Sequence, residues 1–316
     1  MEICGDIIPR LCDSDVWNDI DKLNVQDTIT VRKEAISALK NGVLDDMFNN
    51  TYFKREDFEK AIEHIGSLIP QKVMALPKLY TLTDKSTNLP FLDEHEVIFL
   101  FSEKEFADNA LDYYMQQMRI WEVTEVEHDK IYPFLGNEFY NCGAKGAVID
   151  NGQNYSYHKA EEFVAKPDYS NMPEAERPIT NPDYIRALTM LQQERLWRAN
   201  YEGKNKALTA YEDEMIRTFT KARFLVPFKS AVSNDGQQGI QFASIEKEDG
   251  TRVVPIFSDW DQFAMHYDLN EWNGWVMKAE ELPNGIFDSV VLNVETLGFV
   301  MTKDFMGKIF EISKTL

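Results

Sequence analysis

The feature that most constrains what this chain can fold into is a pattern that occurs twice. In the last third the sequence reads VVPIFSDWDQF from Val253 to Phe263, then VVLNVETLGFVMTKDF from Val290 to Phe305. A looser echo lies in the first half, EVIFLFSEKEF from Glu96 to Phe106, then AVIDNGQNYSYHKAEEF from Ala147 to Phe163. Each copy closes an apolar run on a serine, enters a helix, and returns through a second apolar run, a turn, a short strand and a last helix. Short apolar runs bounded by turn residues are strand signals. The duplication therefore predicts an α+β fold, two related mixed-sheet modules in tandem, and 316 residues are enough for two cores.

The expected organisation is a helical extension over 1–54, a divergent first copy over 55–166, a proline-rich linker and helix over 167–204, and a second copy over 205–316. In the extension, Ile36, Leu39, Val43 and Met47 make one apolar helical stripe. In the first copy a helix buries Phe58, Ala61, Ile62 and Ile65. Strands follow over Val73–Leu76 (closed by Pro77), Leu79–Leu82, Glu96–Phe101, Ile120–Val126 and Ala147–Ile149, with a long loop around Pro133 and Gly136. Ser102 with Glu105, and Ser258 with Asp261, read as matching capping boxes at the two equivalent helix starts. Pro167, Pro173, Pro178 and Pro182 stiffen an extended connection. Asn181 before Pro182 opens a helix with Tyr184, Leu188 and Leu191 on one face. After Gly203 a second helix aligns Leu208, Tyr211, Met215 and Phe219. The second copy then runs from Phe224–Val226, ending at Pro227, through a variable loop to Gly239 and a hairpin turn at Asp249 and Gly250, to a turn at Pro283–Gly285 and a last helix from Lys303.

Charge narrows the partners. The chain carries 33 basic and 53 acidic residues, a net of −20, and the excess follows the two copies while the segment between them is almost neutral. Such a field repels phosphate backbones and anionic lipid, which argues against nucleic acid or a membrane surface as partner. No run approaches the roughly 18 apolar residues of a membrane span. The opening MEICGDIIPRLCDSD has neither the basic start nor the apolar core of a signal peptide. Cys4, Cys12 and Cys142 form no CxxC pair and cannot all pair with one another, which favours a reducing compartment and argues against structural zinc. The expectation is a cytoplasmic protein with no cofactor and no metal. Asp13, Asp15, Asp19 and Asp21 suggest a calcium loop, but Asn18 and Asn24 stand where its glycine and bidentate glutamate belong.

Pro227, Pro255, Phe257, Ser258 and Asn293 carry a resemblance to the SseB family, named for enhanced serine sensitivity. The family pattern is a strand ending in proline, a proline-phenylalanine-serine or -threonine strand end, and a strand ending in asparagine-proline-glycine. Val294 and Glu295 replace the last two residues of that pattern, and in the first copy Phe99 stands where Pro255 stands. The resemblance covers about 90 residues of the second copy well, a similar length of the first weakly, and the remainder not at all. It implies a fold and brings no agreed activity with it.

Common catalytic signatures are missing from the sequence. Aromatics near the repeated helices, Trp121, Trp260 and Trp275 among them, read first as core and inter-copy packing and second as lining a groove between the copies that takes a peptide or small ligand. His95, flanked by three acids, and Asp150 and Asn293, at equivalent turns, complete the candidate binding residues. Two readings result. One is a non-catalytic binding or interaction module. The other is an enzyme of amino-acid or sulfur metabolism, suggested by the family name and using His95, Cys142 or Asp150.

Overall fold

A computed structural model describes residues 2–50, 54–232, 238–246, 250–284 and 287–316. The N-terminal region is helical, with α1 (Glu2–Ile7), α2 (Trp17–Ile20), α3 (Val25–Lys40) and α4 (Asp45–Asn50). Asn24 caps α3 by accepting the Asp27 amide at 2.7 Å. The anticipated stripe through Val43 and Met47 does not lie on one helix. The helix stops at Lys40, Gly42 takes φ +69°, and Val43 is exposed. The side chain of Met47 lies outside the described residues. The buried face is instead Val25, Ile29, Val31 and Ala35.

The first half opens with α5 (Arg55–Met74), which buries Phe58, Ala61, Ile62 and Ile65 as expected and then continues through Pro70. The strand expected at Val73–Leu76 is therefore the end of this helix, and Pro77 precedes a strand instead of closing one. Then come β1 (Lys78–Asp84), β2 (Leu89–Pro90), β3 (Ile98–Phe101), α6 (Lys104–Gln116) and β4 (Trp121–Glu127). Where a loop was expected around Pro133 and Gly136 there is a helix, α7 (His128–Tyr140), followed by β5 (Gly146–Ile149), β6 (Ser156–Lys159) and α8 (Ala160–Phe163). β1 pairs antiparallel with β4 on one side and with β2 and β3 on the other. β3 pairs parallel with β5, and β5 antiparallel with β6.

The proline-rich segment leads to α9 (Pro182–Leu196) and α10 (Lys204–Phe219). The second half comprises β7 (Arg223–Val232), β8 (Gln238–Phe242), β9 (Ile245–Glu246), β10 (Arg252–Ile256), α11 (Trp260–His266), β11 (Asn273–Lys278), β12 (Ser289–Leu292), β13 (Phe299–Thr302) and α12 (Lys303–Ser313). Pro227 lies inside β7 and does not end it; its carbonyl still accepts the Ala243 amide at 3.0 Å. Gly250 has φ +80°, as a tight hairpin requires, while Asp249, the loop at 233–237 and Gly285 lie outside the described residues. β7 pairs antiparallel with β11 and β8, β10 parallel with β12, and β12 antiparallel with β13. A bridge from Leu225 to Phe257 joins β7 to the end of β10. The order β4-β1-β3-β5-β6 of the first half has a parallel in β11-β7-β10-β12-β13, but the second half forms two sheets joined by that bridge and adds β9, antiparallel to β10, which has no strand counterpart in the first.

The helix expected to be a linker is buried nearly all round. Every residue from Tyr184 to Leu191 is buried. Tyr184, Leu188 and Leu191 pack into the core of the second half with Val226, Ile256, Val290 and Met301. Met190 packs into the core of the first half with Leu79, Leu100 and Ile149. Val25 and Ile29 of α3 join that same core, so the N-terminal helices pack directly on the first half. No described helix is long and apolar enough to cross a membrane.

Candidate functional site

The two serines anticipated as helix caps have another task. The helix caps are Glu103, without a side-chain bond, and Asp259, which accepts the Gln262 amide at 2.8 Å. Ser102 gives its amide to Asp150 Oδ1 at 2.7 Å and its hydroxyl to Oδ2 at 2.8 Å. Ser258 gives its amide to Asn293 Oδ1 at 3.0 Å, and Asn293 Nδ2 donates to the Ser258 hydroxyl at 2.9 Å. Asp150 and Asn293 both have positive φ, 54° and 47°, and both are buried. In each half, then, the residue that ends the second strand of the parallel pair clamps the serine that ends the first. Burial pushes the Asp150 carboxyl up to about 6.

A cleft of about 970 Å³ opens where both halves and the proline-rich segment meet. From the first half it takes α7, Lys145, Tyr157 and α8. From the second it takes Asp259, Trp260 and Asp261. Four of its aromatics are open to solvent: Tyr132, Tyr157, Tyr169 and Trp260. Close backbone approach fixes the junction. Gly143, at φ +85°, lies so near Pro182 that a Cβ would come within 2.2 Å of the Pro182 carbonyl oxygen. Asn141 Nδ2 crosses to Asp261 Oδ2 at 3.0 Å, and the Asn181 carboxamide donates to the carbonyls of Arg223 and Ser258. The expected Asn181 side-chain cap is absent because its carboxamide oxygen accepts the Arg223 amide at 3.0 Å instead of an amide of the helix's first turn. Arg186 lies in the wall, donating to Asp183 at 2.9 Å and pairing with Glu96, which also holds Lys145. Near the cleft, Cys142 and Glu138 are buried beside Asn137, and desolvation pushes Glu138 up to about 7 and the Cys142 thiol higher still from its ordinary value.

A second cavity, about 620 Å³, lies between the first half and the C-terminal end of α9. His95 stands at its lining with its side chain 78% exposed. Trp121 is buried behind it, 4.3 Å from Phe91 between ring centroids. Trp275 is half exposed on β11, edge-on to Phe228 and Phe242, and lines neither cavity. Of the residues singled out in sequence, Trp260 and His95 thus line different cavities, and Asp150 and Asn293 belong to the internal clamps. His95, Cys142 and Asp150 are not brought together.

Sequence reasoning missed Arg119, Glu194 and Trp197 around the second cavity. Spacing carried a partial signal, since Trp197 and Tyr201 lie four residues apart just past the end of α9. It also missed a hydrogen-bond chain on β6. Ser156 Oγ lies 2.9 Å from His158 Nε2, and His158 Nδ1 lies 2.8 Å from Glu162 Oε2. That connectivity is the one a nucleophile, base and acid share. Here Ser156 and His158 are buried, neither lines either cavity, and Arg32 donates to the same hydroxyl at 3.4 Å. The chain braces α3 and α8 against β6. Burial holds His158 below its ordinary pKa. The start of α8 is held by Glu162 accepting the Lys159 amide.

The arrangement defines a mixed-sheet α+β chain with an open cleft at the junction of its halves. Residues 204–306 match the SseB protein N-terminal domain family. The match covers roughly a third of the chain, and no second match supports residues 55–166 as another such domain. No curated protein and no solved structure matches the chain.

Proposed function

We propose that this chain is a non-catalytic binding module, two related α+β copies acting as a pseudo-dimer whose occupant sits in the cleft between them. The exposed aromatic set carries this reading. Trp260 from one half faces the cleft with Tyr132 and Tyr157 from the other and Tyr169 from the connecting segment, the rigid, amphipathic surface that peptide and small-molecule sites use. Lys159 and Lys166 line the same walls as Glu161, so a ligand carrying both charges, such as a short peptide, finds partners there. The first copy's relation to the SseB domain belongs to the same proposal, supported by the shared order of strand pairing and the two serine clamps.

The test is thermal stability of the purified protein against short peptides and amino acids, because a ligand that binds only the folded form raises the melting temperature. Stabilising ligands are expected, with the shift lost in Trp260→Ala and kept in Trp275→Ala. A flat panel, or an equal shift in Trp260→Ala, overturns the cleft as the site.

A further inference from the structure

The second cavity has a chemistry of its own. Its walls are aromatic and its charge is negative. Asp93, Glu94 and Glu194 line it against one guanidinium, Arg119, and even a protonated His95 leaves the balance negative. Arg119 shows what these rings attract. Its guanidinium carbon lies 3.7 Å from the centroid of Trp197 and 5.0 Å from that of Phe91, and Lys204 approaches the same indole at 5.8 Å. Aromatic faces in a desolvated site hold cations by their quadrupoles.

Of the three acids, Glu194 is the buried counter-charge and lies beside Trp197 and Tyr201. It is buried, yet its oxygens have one hydrogen bond, from the Tyr201 hydroxyl at 3.1 Å, and one long approach from Arg119 at 3.7 Å. A carboxylate accepts about four hydrogen bonds, so this one retains capacity for a donor. Asp93 spends Oδ1 on the amides of His95 and Val97. Tyr155 and Tyr211 close the remaining walls. The frame is rigid: the Gln193 side chain binds the Leu92 amide, the Pro90 carbonyl and the Thr87 hydroxyl, and Trp197 Nε1 donates to the Gln117 carbonyl at 2.7 Å. Except for Tyr211, every residue of this lining lies outside the stretch that matches the SseB domain.

We propose that this cavity binds an organic cation, an amine or guanidinium carried on an apolar or aromatic body, with Glu194 as counter-ion and Trp197, Tyr201 and Tyr211 as the rings around it. The site is independent of the cleft and of its occupant.

Three probes of one shape and different charge decide it: tyramine, a cation; tyrosol, its neutral alcohol; and 4-hydroxyphenylacetate, an anion. Isothermal titration calorimetry of the full chain is expected to show saturable one-site binding of tyramine at least tenfold tighter than tyrosol, with the anion weaker still. Glu194→Gln is expected to abolish the discrimination between tyramine and tyrosol. Trp260→Ala is expected to leave all three affinities unchanged, which separates this site from the cleft. Equal binding of tyramine and tyrosol, tighter binding of the anion, or no binding of any probe overturns the proposal. The charge series on the unmodified chain decides the matter even where Glu194→Gln does not fold.

Discussion

Two residues at equivalent places solve one problem with different chemistry. Asp150 and Asn293 both hold a serine at the end of the neighbouring parallel strand, but only Asp150 titrates. Its folded-state pKa, about 6, lies above the ordinary carboxylate value, so the folded chain keeps a proton that the unfolded chain has already released. The associated stability is fully present below about pH 4 and is lost as pH rises through about 6. A carboxamide makes both contacts without that loss, as Asn293 does. Asp150→Asn is therefore expected to be more stable than the parent at pH 7 by about 1–3 kcal/mol, with no gain at pH 4. Urea unfolding at the two pH values reads this directly, and a variant less stable at pH 7 contradicts it. Asn293→Ala has the opposite sign. It strands the buried Ser258 amide and places alanine at φ 47°, and is expected to cost about 2–4 kcal/mol.

At the scale of elements, α9 is where the energetics of the two halves meet. Leu188 is fully buried in a core that also holds Ile256 and Val290, so Leu188→Ala is expected to cost about 2–5 kcal/mol in urea unfolding. A cost under about 1 kcal/mol would show that the site collapses around the gap. Much of this scale was legible in the sequence. The apolar runs at β3, β5, β10 and β12 declared themselves because a buried parallel strand needs a continuous apolar run. Four features did not. Val73 near Pro77 looked like a strand end, yet α5 absorbs Pro70, because an internal proline removes one helical hydrogen bond and the packing of Ile69 and Val73 outweighs it. The same holds for Pro133 in α7, where Ile131 and Leu135 are buried on either side. The serine boxes misled because a serine hydroxyl takes whichever acceptor the fold brings near, and Asp150 lies 48 residues away from Ser102 in sequence. The cavities were the least legible feature. Trp260 was visible as an aromatic beside a repeated helix, but the cleft it shares with Tyr132 and Tyr169 exists only once three distant segments converge.

For the whole molecule, the boundary of the matched domain does not coincide with the edge of the hydrophobic core it lies in. The SseB match begins at Lys204, the first residue of α10, and leaves α9 out. Yet the core of the second half includes Tyr184, Leu188 and Leu191 of α9, and the Tyr184 ring packs tilted against Phe219 at 5.3 Å and edge-on to Phe224 at 5.7 Å. A fragment starting at 204 would expose that apolar face, while one starting at 178 retains α9 along with Asn181, whose carboxamide ties Arg223 to Ser258. Residues 178–316 are therefore expected to unfold cooperatively in urea as a monomer, and residues 204–316 to give a broad, non-cooperative transition or to aggregate. The first half loses Met190 in that cut, and also the Gln193 side chain that holds its Leu92 and Pro90 backbone. Residues 55–166 alone, which also lack Val25 and Ile29 of α3 over their core, are expected to behave at least as poorly as 204–316. A sharp, reversible transition for 204–316 equal to that of 178–316 would mean that α9 rests on a finished domain instead of completing it, and the two halves would then be independent units joined by a passive helix.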